Sequence, residues 1–288
     1  MRAIVSSLRP RQWTKNLLVF AGLIFSGRFL DGESVRIAFL TFAAFCLVSS
    51  AGYLVNDVVD RESDRRHPEK RNRAIASGTL SVPVALGIAG LLLLAGVGAG
   101  WLAGWGALGS LAFYAANQGF YVLLARAIPI LDVFVIAIGF LIRAVAGAVA
   151  LSVTISPWLL LCTLMLALFL GFCKRRHELQ LESHARASLE GYSIAVTDQF
   201  IAITAACTVI AYSLYAIQSE TAARHAYLYL TIPFPIFGVF RYLQLVHAKG
   251  EGGNPDATLF QDPWIAGTVV AWIVVSLLVM SDRLGGAL

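Results

Sequence analysis

The sequence predicts an all-α, polytopic membrane protein of about nine transmembrane helices. Three observations predict it. Of 288 residues, 58% are hydrophobic and only 14% charged, where a soluble domain carries roughly a quarter charged residues. The hydrophobic residues form continuous runs, not the alternating pattern of a membrane barrel. The charge gathers in a few connecting stretches, the densest of them Asn56 to Gly78.

A span needs about 20 apolar residues. By that measure the candidates centre near Phe20, Phe45, Leu92, Phe113, Phe140, Met165, Val209, Phe237 and Val274. The first is short unless it begins near Gln12, which draws Lys15 to the membrane's edge. Met1 to Lys15 is basic, but the apolar run after it lacks a small-residue cleavage pattern, so it reads as a retained first span. Short polar turns such as Ala103-Gly104 and Ser152 to Pro157 divide later spans. No linker or second soluble domain interrupts the chain, so residues 1–288 are expected to form a single transmembrane domain. Cys46, Cys162, Cys173 and Cys207 stand singly in or beside apolar runs, without metal spacing. They read as small packing residues.

Lys and Arg set the orientation. Arg2, Arg9, Arg11 and Lys15 precede the first span. Arg61, Arg65, Arg66, Lys70, Arg71 and Arg73 follow the second, and Lys174, Arg175, Arg176 and Arg186 follow the sixth. The alternating connections hold only Arg28, Arg36 and Arg224. The expected topology is multi-pass in the plasma (inner) membrane, with both charged loops in the cytoplasm. The net charge of +5 reflects these loops, and nothing in it points to nucleic acid. A homo-oligomer stays open.

Asn56, Asp60 and Asp64 recur every four residues, and Asp57 sits three before Asp60. On a helix that keeps them near one face, with about 6 Å of rise per step. Magnesium takes oxygen ligands and usually binds one or two carboxylates plus substrate phosphates. The ladder therefore suits magnesium bridging a diphosphate, with Asp60 and Asp64 as its catalytic carboxylates. The plainer alternative is a solvated helix end. Against it, the ladder follows Phe42 to Val55 directly, and carboxylates near membrane depth are expensive without a cation.

A second acidic pair, Glu178 and Glu182, is again four apart and follows the sixth span as the ladder follows the second. Two such motifs on one rim can face each other across a cavity. The expected metal ligands are then Asn56, Asp60, Asp64, Glu178 and Glu182, and the expected cofactor is Mg2+. Taken alone, the second pair also fits an amphipathic helix with Glu–Arg pairs.

Lys70, Arg71, Arg73, Lys174 and Arg175 are candidates for binding phosphates, or else anchors on the cytoplasmic side. Arg143 lies inside the fifth span, where an arginine is a functional-site hypothesis by default. Asp132 is eleven residues away, too far along one straight helix to pair with it. Asn117 and Tyr121 add polar groups in the fourth span, for substrate or for interhelical hydrogen bonds. The five histidines share no ligand spacing, and the Gly-rich turn after Lys249 lacks the P-loop pattern.

Four stretches carry a family resemblance. They are Arg9-Pro-Arg-Gln-Trp-Thr-Lys-Asn16; Tyr53-Leu-Val-Asn-Asp57 with His67-Pro68 and Lys70-Arg71 after it; Asp132 through Gly139-Phe-Leu-Ile-Arg143 to Gly147; and Lys174-Arg-Arg-His-Glu178 with Glu182. The ladder resembles the first aspartate motif of the UbiA superfamily of intramembrane prenyltransferases. The whole pattern is similar to its decaprenyl-phosphate phosphoribosyltransferase branch, over nearly the full chain. The glutamates of the second motif depart from the aspartate-rich version of aromatic prenyltransferases. The resemblance implies a helical bundle with a cytoplasm-facing cavity. It implies transfer of 5-phosphoribose from phosphoribosyl diphosphate to a polyprenyl phosphate, feeding arabinose donors for the cell envelope. It adds Tyr53, with Lys15, Asn56 and Asp57, to the expected substrate-binding residues. A polyprenyl diphosphate:aromatic prenyltransferase is the alternative within the fold, and a transporter the alternative outside it.

Overall fold

A computed structural model of the chain describes residues 2–66, 70–181, 187–248, 250, 252–253, 257–258 and 261–281. Among these, every regular element is a helix. In chain order they are α1 (Arg2–Ser7), a 3-10 segment (Pro10–Phe20), α2 (Ala21–Phe25), α3 (Gly32–Val59), α4 (Arg61–Arg66), α5 (Val82–Ala103), α6 (Trp105–Leu123), α7 (Leu131–Ala150), α8 (Pro157–Gln180), α9 (Ile194–Gln218), α10 (Glu220–Arg224), α11 (Pro233–Ala248) and α12 (Pro263–Met280), with short 3-10 turns between some of them.

Among the described residues, seven helical stretches are long and apolar enough to cross a membrane. They contain α3, α5, α7, α8, α9, α11 and α12. The fourth expected span is α6, whose 19 residues include Asn117 and Gln118 and are therefore less apolar. The first expected span differs from a regular α-helix. Its first 11 residues form a 3-10 coil before α2 begins, although such coils are uncommon beyond 3–4 residues. Long-range contacts hold the tighter winding. Trp13 Nε1 donates to Ser50 Oγ at 3.0 Å, and Asn16 accepts from Arg143 at 2.7 Å. The coil also lies backbone to backbone on α7. A Cβ added at Gly147 would sit 1.8 Å from the Val19 carbonyl oxygen, so only glycine admits this approach.

Local signals start the other helices. Asp31 caps α3 by accepting from the Ser34 amide at 3.0 Å and the Ser34 hydroxyl at 2.6 Å. These bonds, the hydroxyl's first, hold its carboxyl below the usual range. Ser193 caps α9, and Asp262 caps α12. Proline occupies the first turn of α5, α8 and α12, where its missing N–H costs nothing.

The long helices pack side by side: α3 along α5, α8 along α9, and α7 between α6 and α8. Val19, Phe45, Tyr114 and Ile142 form one apolar core. Phe169, Phe172, Ile201 and Leu245 form another. Outward faces are apolar too, with Leu94, Phe113, Ile203 and Val270 exposed, as a lipid solvent requires. This is an integral membrane protein.

The two ends of the bundle differ. At one end, polar contacts link residue 9, the end of α3, the α6–α7 turn, the end of α8, the start of α9 and the end of α11. The opposite end holds Arg28, bonded to the Leu151 carbonyl at 3.1 Å, with Arg36 and Arg224. The candidate site lies at the first end.

Candidate active site

The first motif straddles a bend. Asp60 ends α3 with φ −84° and ψ 3°. Helical bonding nevertheless continues, with the Asp60 amide donating to the Asn56 carbonyl and the Asp64 amide to the Asp60 carbonyl, both at 2.8 Å. The bend sorts the carboxylates into two groups. Asp57 and Asp64 are buried and share Arg73, whose Nη1 lies 3.1 Å from Asp57 and 2.7 Å from Asp64. Arg9 Nη2 reaches the same Asp57 oxygen at 2.5 Å, and its guanidinium lies 4.9 Å from the centre of the Tyr53 ring. Two buried carboxylates close together are costly, and two arginines offset that cost. Asp60 is turned to another partner, Arg126, at 3.6 Å, and its side chain is 41% exposed. Asn56 and Lys70 are half-buried beside this group, and Arg71 is exposed.

The second motif is built on a buried ion pair. Arg175 Nε lies 3.2 Å from Asp132 Oδ2, with the two side chains 1% and 0% exposed. Asp132 also accepts from the Ser188 hydroxyl at 3.1 Å, the Tyr192 hydroxyl at 2.8 Å and the Val133 amide at 2.9 Å. Arg175 Nη1 in turn holds Glu178, one helical turn on. Tyr192 accepts from the Ile130 amide at 2.6 Å. Burial, and then the bond to Asp132, raise its phenol pKa. Ile130 has φ 69°, a strained value for a β-branched residue. Next to this group, Arg176 donates to Asp198 at 2.6 Å. His177 Nδ1 lies 2.7 Å from the Gly250 carbonyl oxygen, so Nδ1 carries the proton. Lys174 is half-buried. Glu182, His67 and Pro68 lie outside the described residues.

Arg143 lies deeper, in the middle of α7. Its Nε donates to Asn16 Oδ1 at 2.7 Å, Nη1 to the Gly139 carbonyl at 2.6 Å and Nη2 to the Tyr114 hydroxyl at 2.9 Å. The guanidinium also stacks 4.6 Å from the Tyr114 ring centre. Tyr114 further accepts from Gln118 Nε2 at 2.7 Å. Every partner is neutral; among the described residues no carboxylate pairs with Arg143. Asp132 belongs to Arg175 instead. Asn117 donates to the Val135 carbonyl at 3.1 Å, bracing the same helix. Lys15 bonds Gln12, one turn back in the 3-10 coil, and Tyr121 is half-buried on α6.

The structure thus brings the first motif and Glu178 of the second to one rim, bridged by the α6–α7 turn. Residues 125–127 of that turn touch residues 187–191, and Arg126 touches Asp60. Asn16, Arg126, Ser188 and Tyr192 join the candidate set although sequence reasoning passed them over. Arg126 had a signal as a cation at a span end, and Asn16 as the last residue of the first stretch carrying the family resemblance. Ser188 and Tyr192 meet Asp132 across more than 50 residues, which no local pattern reports.

The donors at the rim are hard oxygens, the chemistry of magnesium. Among the described residues no three His, Cys, Asp or Glu side chains converge on one point.

The profile of the UbiA prenyltransferase family matches residues 17–261. The decaprenyl-phosphate phosphoribosyltransferase of Corynebacterium glutamicum is 34% identical over 281 residues, covering 94% of this chain and 84% of that protein. The enzyme of the same name from Mycolicibacterium smegmatis is 34% identical over 287 residues, covering 94% of this chain and 90% of its own length. Among solved structures, a UbiA homolog from Archaeoglobus fulgidus bound to DMAPP and Mg2+ superposes with a TM-score of 0.75 at 17% identity, over 96% of this chain and 99% of that one. On these grounds the chain belongs to the UbiA prenyltransferase family.

Proposed function

We propose that the protein transfers 5-phosphoribose from 5-phosphoribosyl 1-diphosphate to a polyprenyl phosphate, releasing diphosphate, with Mg2+ as cofactor. The observation that carries this reading is the single rim on which two carboxylate motifs interleave with arginines. Such a surface receives a metal-bound diphosphate. End-to-end likeness to decaprenyl-phosphate phosphoribosyltransferases supports the sugar donor over a prenyl one. The excess of Lys and Arg at this rim supports a cytoplasmic site in the inner membrane. One continuous bundle supports a single domain over residues 1–288.

In this reading Asn56, Asp60, Asp64, Glu178 and Glu182 would hold Mg2+ with the donor's diphosphate, Asp64 exchanging its contact with Arg73 for the ion. Bound there, the ion neutralises the leaving group as a Lewis acid. Lys70, Arg71, Arg73 and Lys174 surround the donor's phosphates, and Asp57 and Tyr53 orient Arg9 beside them; Arg175, expected among these cations, is instead 1% exposed and held between Asp132 and Glu178. Arg143, a buried cation with only neutral partners, faces the acceptor's phosphate, helped by Lys15, Asn117 and Tyr121. A lipid phosphate oxygen attacks the anomeric carbon as the carbon–oxygen bond to diphosphate breaks. The bonding electrons leave with diphosphate, and the product is inverted. The nucleophile is already an anion, so no general base is needed. Positioning and fixed charge supply the rate.

The test uses detergent-purified protein with labelled phosphoribosyl diphosphate or labelled prenyl diphosphate, each with and without Mg2+. Metal-dependent labelling of a polyprenyl phosphate by the sugar donor is expected. Labelling only from the prenyl donor would place the protein with the aromatic prenyltransferases.

A further inference from the structure

We infer that Asp132 is a positioning residue that sets Glu178 for metal binding through the Arg175 fork. The inference rests on the proposed role of Glu178 at the metal. Asp132 Oδ2 lies 3.2 Å from the buried Nε of the guanidinium, an ion-pair contact without hydrogen-bond alignment. It is itself fixed by the Ser188 and Tyr192 hydroxyls and the Val133 amide. The far end of the fork presents Nη1 to Glu178 Oε2. No described residue takes Oε1, and the Glu178 side chain is 18% exposed at the rim. One cation between two carboxylates leaves one negative charge over, directed at the free oxygen.

The anchorage is built with strain. Ile130 holds φ 69° two residues before Asp132. Tyr192 secures that turn by accepting from the Ile130 amide while donating to Asp132. Strained backbone persists where surrounding bonds over-determine it. The same tyrosine thus fixes both the backbone and the carboxylate of the relay. Without the Asp132 charge, Arg175 has one carboxylate left. It then closes on both oxygens of Glu178, as arginine does with carboxylates, and competes with the metal.

The test measures Mn2+ binding to the purified full-length protein in the presence of diphosphate, from the free-Mn2+ electron paramagnetic resonance signal. Glu178→Gln is expected to weaken binding about tenfold, the size of a lost metal–carboxylate support. Asp132→Asn, which keeps the shape and loses the charge, is expected to match it, and the double variant to add little. Parent-like Mn2+ binding in Asp132→Asn overturns the relay. So do fully additive losses, and so does parent-like binding in Glu178→Gln. If Asp132→Asn does not fold, Tyr192→Phe carries the test: a loss of about threefold is expected, and no loss overturns the inference. The donor assay is read separately, so a wrong donor leaves the Mn2+ result standing and a failed relay leaves the donor assignment standing.

Discussion

Asp64 meets Arg73 at 2.7 Å, nine residues along the chain, and this contact folds the first acidic loop back on itself. The same nitrogen holds Asp57, so one arginine closes the loop and bridges two buried carboxylates, with Arg9 supplying the second positive charge. Removing one member of a buried pair costs about 3–5 kcal/mol. Arg73 is 32% exposed, which softens the loss to about 2 kcal/mol. Arg73→Met is therefore expected to lower the melting temperature in detergent clearly, with Arg73→Lys intermediate. An unchanged melt would show that the Arg73 bridge contributes nothing to stability.

Asp60 is the carboxylate of the ladder least engaged by protein, with Arg126 at 3.6 Å and 41% exposure. Asp60→Ala is expected to abolish turnover while leaving the melting temperature within a degree or two of the parent. Near-normal activity in that variant would end the metal-ladder reading.

Arg143 donates to three neutral acceptors on three separate elements. Arg143→Met is expected to raise the KM for one phosphate-bearing substrate at least tenfold. A lowered melting temperature with an unchanged KM would assign it to structure alone.

Gly147 and Gly109 make a matched pair. A Cβ at Gly147 would lie 1.8 Å from the Val19 carbonyl oxygen, whereas nothing lies within 4 Å of one at Gly109. Overpacking costs about 1–3 kcal/mol, occasionally more, and here the obstacle is backbone, which cannot swing aside. Gly147→Ala should reach or exceed the top of that range in a detergent unfolding titration, and Gly109→Ala should be tolerated.

Asp262 accepts from Arg241 at 2.7 Å and from the Ile265 amide at 3.0 Å. The arginine, and behind it that amide, holds its carboxyl below the usual range. A depressed folded-state pKa contributes stability that is complete above the unfolded value of about 3.9 and lost as pH falls through the folded value. Asp262→Asn keeps the cap and removes the charge. Its deficit in melting temperature should be constant from pH 7 to 5 and shrink below pH 4. A deficit independent of pH would mean that the charge contributes nothing.

Much of the fold was legible because span formation is local. Each run centred from Phe45 to Val274 lies in a long helix. The run at Phe20 does not form a regular α-helix, because its winding is set by Ser50, Arg143 and Gly147, far away in sequence. The candidate site was legible only as a set of residue types. Four-residue spacing placed Asn56, Asp60 and Asp64 along one helical stretch, but not the bend at Asp60, nor the split of Asp57 and Asp64 from Asp60. Those depend on Arg9, Arg73 and Arg126. Asp132 was visible as an acidic residue at a span start, yet its partner Arg175 comes from the next helix and its hydroxyl donors from the turn beyond.

The 3-10 winding of residues 10–20 also has a consequence for reach. Eleven residues at about 2.0 Å each extend roughly 22 Å, where an α-helix would give about 16 Å. The five residues of α2 add about 8 Å, for a total near the 30 Å thickness of a bilayer's hydrocarbon layer. Stretching the coil thus lets sixteen residues cover a length that takes about twenty in an α-helix. Arg9 stays at the charged rim while Asn16 reaches Arg143 inside the bundle. An insertion or deletion of a single residue in this stretch would turn every later side chain by about 120°, so that Arg9 and Asn16 could no longer both reach their partners.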